Sequence, residues 1–223
     1  ALPLLLKLLP RDQLKDNEKA VLKKLEKWDG NYQYQKTEPA IFQAWFDSTY
    51  VMSFDEIIHW RDSVEVLSVE SWRFLDLLDK TPEHAIFDWQ KTKKTETAAD
   101  LVLSAFQKVC KDISKTPAQT WRSLNNASVN HLARIPAFSR TNLPISGYAQ
   151  APNAIRNGHG PSWRMVVELG KDGVKAWGVY PGGSSGNPGS PFYDHMVDQW
   201  AKGEYNELFF MRNAQDTRKA QKS

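Results

Sequence analysis

The chain is nearly without cysteine. Cys110 stands alone among 223 residues, so no intrachain disulfide can form. Its place on the apolar face of an expected helix makes it a buried structural thiol rather than a reactive one. Long apolar runs are missing too: the leading LPLLLKLLP falls well short of the ~18 residues a membrane span needs, is interrupted by Lys7, and has no small-residue cleavage site. Charge of one sign is scarce. A net charge of +3, with lysines spread over polar helix faces, excludes nucleic acid as a partner and leaves Lys91 to Lys94 a solvated run. The five histidines, His59, His84, His131, His159 and His195, lack metal-ligand spacing, so neither a metal nor a cofactor is expected.

What is present is ordinary globular composition, 41% hydrophobic and 25% charged, in a length that fits one or two domains. Leu14, Val21, Leu25 and Trp28 recur at helical spacing, so residues 12–28 read as an amphipathic helix ended by Asp29-Gly30. A second helix follows Thr37, with Pro39 in its first turn and Ile41, Phe42, Trp45 and Phe46 on one face. Residues 54–61 and 71–79 form shorter helices, and Thr81-Pro82 opens another. Ala98, Leu101, Val102, Ala105, Phe106, Val109 and Ile113 define the longest. Thr116-Pro117-Ala118-Gln119 has capping-box form ahead of a last short helix with Trp121. Tryptophans at 28, 45 and 60 sit on apolar faces, where core packing outweighs a ligand box.

Periodicity fades from 125 to 160, where prolines, asparagines and glycines accumulate. Residues 162–180, SWRMVVELGKDGVKAWGVY, then read as a hairpin. Met165, Val167 and Leu169 alternate with Arg164, Val166 and Glu168, and Asp172-Gly173 supplies the turn. Residues 182–189 come next, with Gly182, Gly183, Gly186 and Gly189 implying positive φ or close backbone approach. Alanine at Gly182, Gly183 or Gly186 is expected to cost roughly 1 kcal/mol or more. A helix with Ser190 as N-cap, Pro191 at its first position and Gly203 past its end is expected after the loop. Gly182-Gly183-Ser184-Ser185-Gly186 matches Gly-x-Ser-x-Gly, but Pro188 and Pro191 hold the chain extended where a nucleophile elbow would turn into a helix. The loop has no Lys-Ser/Thr ending for phosphate. Asp194 and Asp198 share a helix face and read as a solvated edge.

The run PGGSSGNPGSPFYDHMVDQWAKGEY (residues 181–205) resembles the C-terminal signature of the penicillin amidase family, a Gly-Gly-x-Ser-Gly loop followed by Ser-Pro-x-Tyr-Asp and a short helix with a tryptophan. The similarity extends through Ser162-Trp163-Arg164 and through WDGNYQYQKTEPAIFQAWF (residues 28–46), and covers nearly the whole chain. His195 and Met196 depart from a pair that is commonly acidic or polar.

The resemblance implies an N-terminal nucleophile (Ntn) hydrolase of linear amide bonds, self-cleaved to expose a serine whose own amine is its base, and an α+β chain whose last strands join an αββα sandwich. It also implies a periplasmic or extracellular parent. The catalytic groups of the family lie upstream of the matched portion, so no catalytic residue is assigned, and Gly182, Gly183, Ser184, Ser185 and Gly186 are read as a structural loop. The expected organisation is a helical region (1–124), an irregular crossover (125–160), the C-terminal strands and helix (161–212) and a frayed tail (213–223). Expected partners are the remainder of the precursor and a small-molecule amide. The chain by itself is expected to be inactive, and to self-associate through unpaired strand edges. A non-catalytic helical interaction module is the competing reading.

Overall fold

The computed structural model describes residues 1–60, 68–116, 119–156, 158–171, 173–211 and 214–216. Arg61, Pro117, Ala118, Asp172, Arg212, Asn213 and most of the tail lie outside the described residues, as do the side chains of His59 and Trp60. The chain divides into two units, residues 1–31 with 36–121 and residues 32–35 with 122–223.

The first unit is helical: α1 (Leu2–Leu8), α2 (Asp16–Lys27), α3 (Glu38–Ser53), α4 (Asp55–Trp60), α5 (Ser71–Lys80) and α6 (Ala98–Lys115). Helix α6 starts on a capping box in which Thr97 and Asp100 exchange side-chain and backbone bonds, satisfying donors a helix start would orphan. Helix α3 is buried on most sides and packs on α6: the Trp45 ring lies 4.8 Å from Phe106, and its Nε1 donates to the Val102 carbonyl at 2.9 Å. Phe46, Tyr50 and Phe54 ring Phe74 of α5 at centroid distances of 5.4 to 5.6 Å. Thr49 and Ser53 are buried because each hydroxyl donates to the carbonyl one turn back, at 2.9 Å, so burial orphans no donor.

Thr81-Pro82 does not open a helix. Thr81 is still the C-cap of α5, its N–H donating to Leu77, and Pro82 gives its carbonyl to Ala98. Beyond them the chain makes a single 3-10 turn at Ala85–Phe87 capped by His84, enough to bury Phe87 completely.

The second unit begins in α7 (Trp121–Leu124). It carries an antiparallel pair, β1 (Ala127–Val129) with β2 (Arg140–Leu143), and a three-stranded antiparallel sheet in the order β3 (Arg164–Gly170), β4 (Gly173–Val179), β5 (Asn206–Leu208). The hairpin falls where the alternation and the turn residues put it, with unbroken pairing from Arg164↔Val179 to Gly170↔Gly173. Residues 32–35 belong to this unit: Tyr32 stacks on Tyr148 at 4.7 Å, and the Tyr34 N–H donates to the Ser146 hydroxyl at 3.2 Å. The core of the unit is small. Ala127, Leu143, Ile145, Ile155, Val179, Val197 and Ala201 surround Trp200.

The final helix starts later than Ser190 and Pro191 suggest. It is α8 (Val197–Lys202), ended by Gly203 in the left-handed conformation at φ 79°. The reason lies in the backbone bonds: Ser185 N–H donates to the Phe192 carbonyl, and Met196 N–H donates to Gly182. Those are the two groups that a helix from Pro191 would have joined to each other, and the glycine loop has taken both.

Candidate functional site

The glycine loop leaves β4 at Val179 and folds back on residues 190–196. Asn187 accepts the Gly189 N–H at 2.9 Å, Ser185 Oγ accepts the Asn187 N–H, and Ser190 Oγ accepts the Phe192 N–H. Short polar side chains therefore satisfy a backbone that forms no regular structure. The glycines differ in what they do. At Gly183 a Cβ would run into the carbonyl oxygens of Phe192 and Tyr193, so the close approach itself demands glycine. Gly182 is held at φ 145°, whereas Gly186 has open space around it and no positive φ.

Ser184 sits exposed at the turn of this loop and has no hydrogen-bond partner among the described residues. The next helix begins only at Val197, and the nearest histidine in sequence, His195, has its Nδ1 3.2 Å from the Phe192 carbonyl and its ring edge-on to Phe192. Nothing here removes a proton from Ser184, and no helix N-terminus backs it. Among the described residues no three His, Cys, Asp or Glu side chains gather as metal ligands.

The structure joins two residues singled out in the sequence to one that was not. Arg140, on β2, spans Asp194 (Nη1 to Oδ2, 2.7 Å) and Asp198 (Nη2 to Oδ1, 2.5 Å). The bond from Asp194 comes first among the causes that raise the guanidinium pKa. The two carboxylates are thus a fork around a cation. Tyr193 reinforces the tie by donating its hydroxyl to the Phe138 carbonyl at 2.9 Å. Arg140 carries no local signal, because its partners lie 54 and 58 residues on.

Arg164 reads in the sequence as one position of a strand, yet it is the most buried cation described. Its Nη2 donates to the Trp200 carbonyl, its Nη1 to Asn153 Oδ1 at 3.3 Å, and its guanidinium lies over the Trp200 and Tyr205 rings at 5.5 and 5.6 Å. Burial lowers its pKa, as desolvation of a charge must, and Tyr205 opposes the shift. Trp200 itself is pinned by its Nε1 donating to Pro161 and by Gly160, where a Cβ would strike the ring. The arrangement fastens strand, loop and helix together, and it offers no reacting group.

Comparison with known proteins identifies the class. The backbone matches that of a thermostable penicillin G acylase from Alcaligenes faecalis, with a TM-score of 0.53 at 17% identity over 98% of this chain and 44% of the acylase chain. The mixed helical and antiparallel-sheet fold is thus that of a penicillin acylase. The sequence model of the penicillin amidase family matches residues 1–217, and the chain belongs to that family. A curated relative, the acyl-homoserine lactone acylase QuiP of Pseudomonas syringae pv. tomato, is 30% identical over 87 residues, 39% of this chain and 10% of the relative. The chain spans under half the length of the acylase structure, and its match covers a tenth of the curated relative.

Proposed function

We propose that these residues are the C-terminal part of a precursor whose mature form hydrolyses the linear amide bond of N-acylated small molecules. The observation that carries the reading is the family match across residues 1–217, the glycine loop and the Ser-Pro-Phe-Tyr-Asp segment included. The reacting serine lies in the remainder of the precursor, freed by self-cleavage, with its own α-amine as base and an oxyanion hole of a backbone N–H and an asparagine amide. The 223-residue chain is a scaffold. No base lies beside Ser184 among the described residues, Asp194 and Asp198 are both bonded to Arg140, and Arg164 is held in packing. The substrates proposed are acyl amides of the kinds named for the relatives, the side-chain amide of penicillin G and the amide of acyl-homoserine lactones. A periplasmic or extracellular location is part of the same proposal.

The test compares the 223-residue chain with the complete reading frame on a chromogenic phenylacetyl amide and an acyl-homoserine lactone. The expected result is background rates for the chain, turnover for the complete protein, and the same turnover after Ser184→Ala. Turnover by the isolated chain that disappears with Ser184→Ala would overturn the reading. A complete protein that neither self-cleaves nor turns over either amide would leave the helical interaction module in its place.

A further inference from the structure

We propose that Asp55 and Glu56 hold one proton between them, and that this shared proton fastens residues 88–96 to the start of α4, a latch that closes in acid and loosens as pH rises. The two carboxyls open α4, and each has one oxygen, Asp55 Oδ1 and Glu56 Oε2, that is shut off from water without a hydrogen-bond partner among the described residues. Buried oxygens with no donor are costly and rare. The carboxyls lie within hydrogen-bond reach of each other, so two acceptors face one another with no hydrogen between them unless one is protonated. One proton serves both, since the acid that carries it donates and the other accepts. Asp55, Glu56 and residues 88–96 all belong to the helical unit, and both oxygens are closed off within it, so further chain has no access to supply the missing donor.

Gln90 makes the pair a latch. Its backbone N–H donates to Asp55 Oδ2 at 3.3 Å, and its side-chain amide bonds Glu56. The segment around Gln90 is built on another buried carboxylate, Glu96, which needs no proton: its Oε2 accepts the Trp89 N–H at 3.1 Å, and its Oε1 accepts the Thr92 hydroxyl. A donor on each oxygen is what Asp55 and Glu56 lack.

The surrounding charges do not replace the proton. On the segment, Asp88 accepts the Glu96 N–H, Lys91 lies over the Trp89 ring at 5.9 Å, Lys93 is exposed, and Lys94 is paired with Asp100 at 2.5 Å. His84 caps the adjoining turn by accepting the Ile86 N–H, and the last turn of α3 has no basic residue. The charge that acts on Glu56 is that of Asp55. Desolvation is the largest cause raising the Glu56 pKa, the Asp55 charge and bond add to it, and the Gln90 amide and the Glu56 backbone oppose it. The folded state thus keeps a proton that the unfolded state gives up. The latch is complete below the ordinary value of 4.5 and is lost as pH rises through the folded value, when the proton passes to water and two adjacent charges remain.

Hydrogen exchange of the complete protein, read by mass spectrometry on peptides from residues 88–96 and corrected for the intrinsic effect of pH, tests the latch. The expected result is protection at about pH 5 that is lost by about pH 8, with peptides from α6 protected at both. Glu56→Gln, whose amide is a permanent donor to Asp55, is expected to keep the acid level of protection at the higher pH, and a chelator is expected to change nothing. Equal protection of residues 88–96 at the two pH values in the parent overturns the proposal without any variant. A pH response that survives Glu56→Gln would belong to His84 or to another carboxylate and overturns it as well. So does protection lost to the chelator at the lower pH, which would put a metal ion in the place of the proton. None of these outcomes bears on whether the complete protein hydrolyses amides.

Discussion

Among the described residues, the exposed large apolar side chains of the helical unit are Val51 and Trp72, whereas the second unit exposes Leu132, Phe138, Trp163, Met165, Val166, Val167, Leu169, Phe192, Phe209, Phe210 and Met211, among others. The contrast is one of completeness. Helices α3 and α6 bring apolar stripes together by local periodicity, and each stripe finds its complement inside the same unit, so Trp45, Phe74 and Phe106 lose all their exposure. The second unit has one small cluster around Trp200 and a three-stranded sheet on which Met165, Val166, Val167 and Leu169 stay exposed. Its order comes instead from specific polar ties, the Arg140 fork, the Tyr193 hydroxyl and the bonds of Arg164. Such ties fix geometry well and add little stability when partly exposed.

The sharpest way to break this comparison is truncation on each side of it. Trp45→Ala should cost about 3 to 5 kcal/mol in denaturant unfolding, because it empties a fully buried site and removes the indole's bond to the Val102 carbonyl. Leu169→Ser should change stability by no more than about 0.5 kcal/mol, since that side chain already stands in water. Equal costs would mean that the helical unit is not the self-sufficient one.

Within the second unit the glycine loop sharpens the point, because its glycines should separate rather than act alike. Gly183→Ala is expected to cost about 2 kcal/mol or more, since backbone carbonyls cannot move aside as a flexible side chain would. Gly182→Ala should cost about 1 kcal/mol for its positive φ, and Gly186→Ala less than about 0.5 kcal/mol. Thermal melts of the three variants in that order check it, and a damaging Gly186→Ala would mean the loop is held by contacts other than these.

A pH-dependent effect belongs to Cys110 in the helical unit. Burial, aided by the charge of Glu18, pushes its thiol from 9.0 up to about 12. The folded state holds the proton more tightly than the unfolded one, so this contribution is intact below pH 9 and is lost as pH rises towards 12, by about 1 kcal/mol at pH 10. Unfolding free energies at pH 8 and pH 10 should therefore differ by about that much more in the parent than in Cys110→Ala. An identical pH dependence in the two proteins would place the thiol in contact with water.

Much of the helical unit was legible in the sequence because its information is local. The stripe from Ala98 to Val109 and Pro39 in the first turn of α3 are local signals, and the structure has α3 and α6 where they put them. The hairpin was legible for the same reason, alternation on both sides of a two-residue turn. The penicillin amidase family was legible in the glycine loop and the Ser-Pro-Phe-Tyr-Asp run. What only tertiary structure decided involves bonds between distant residues. The late start of α8 comes from the Phe192 carbonyl and the Met196 N–H being taken by the loop, and the single turn after Thr81 from Pro82 being claimed by Ala98. The pairing of β1 with β2, the short β5, and the role of Asp194 and Asp198 as a fork on Arg140 likewise depend on partners far off in the chain. A sequence states what each residue prefers among its neighbours, and it is silent on which remote group will compete for the same hydrogen bond.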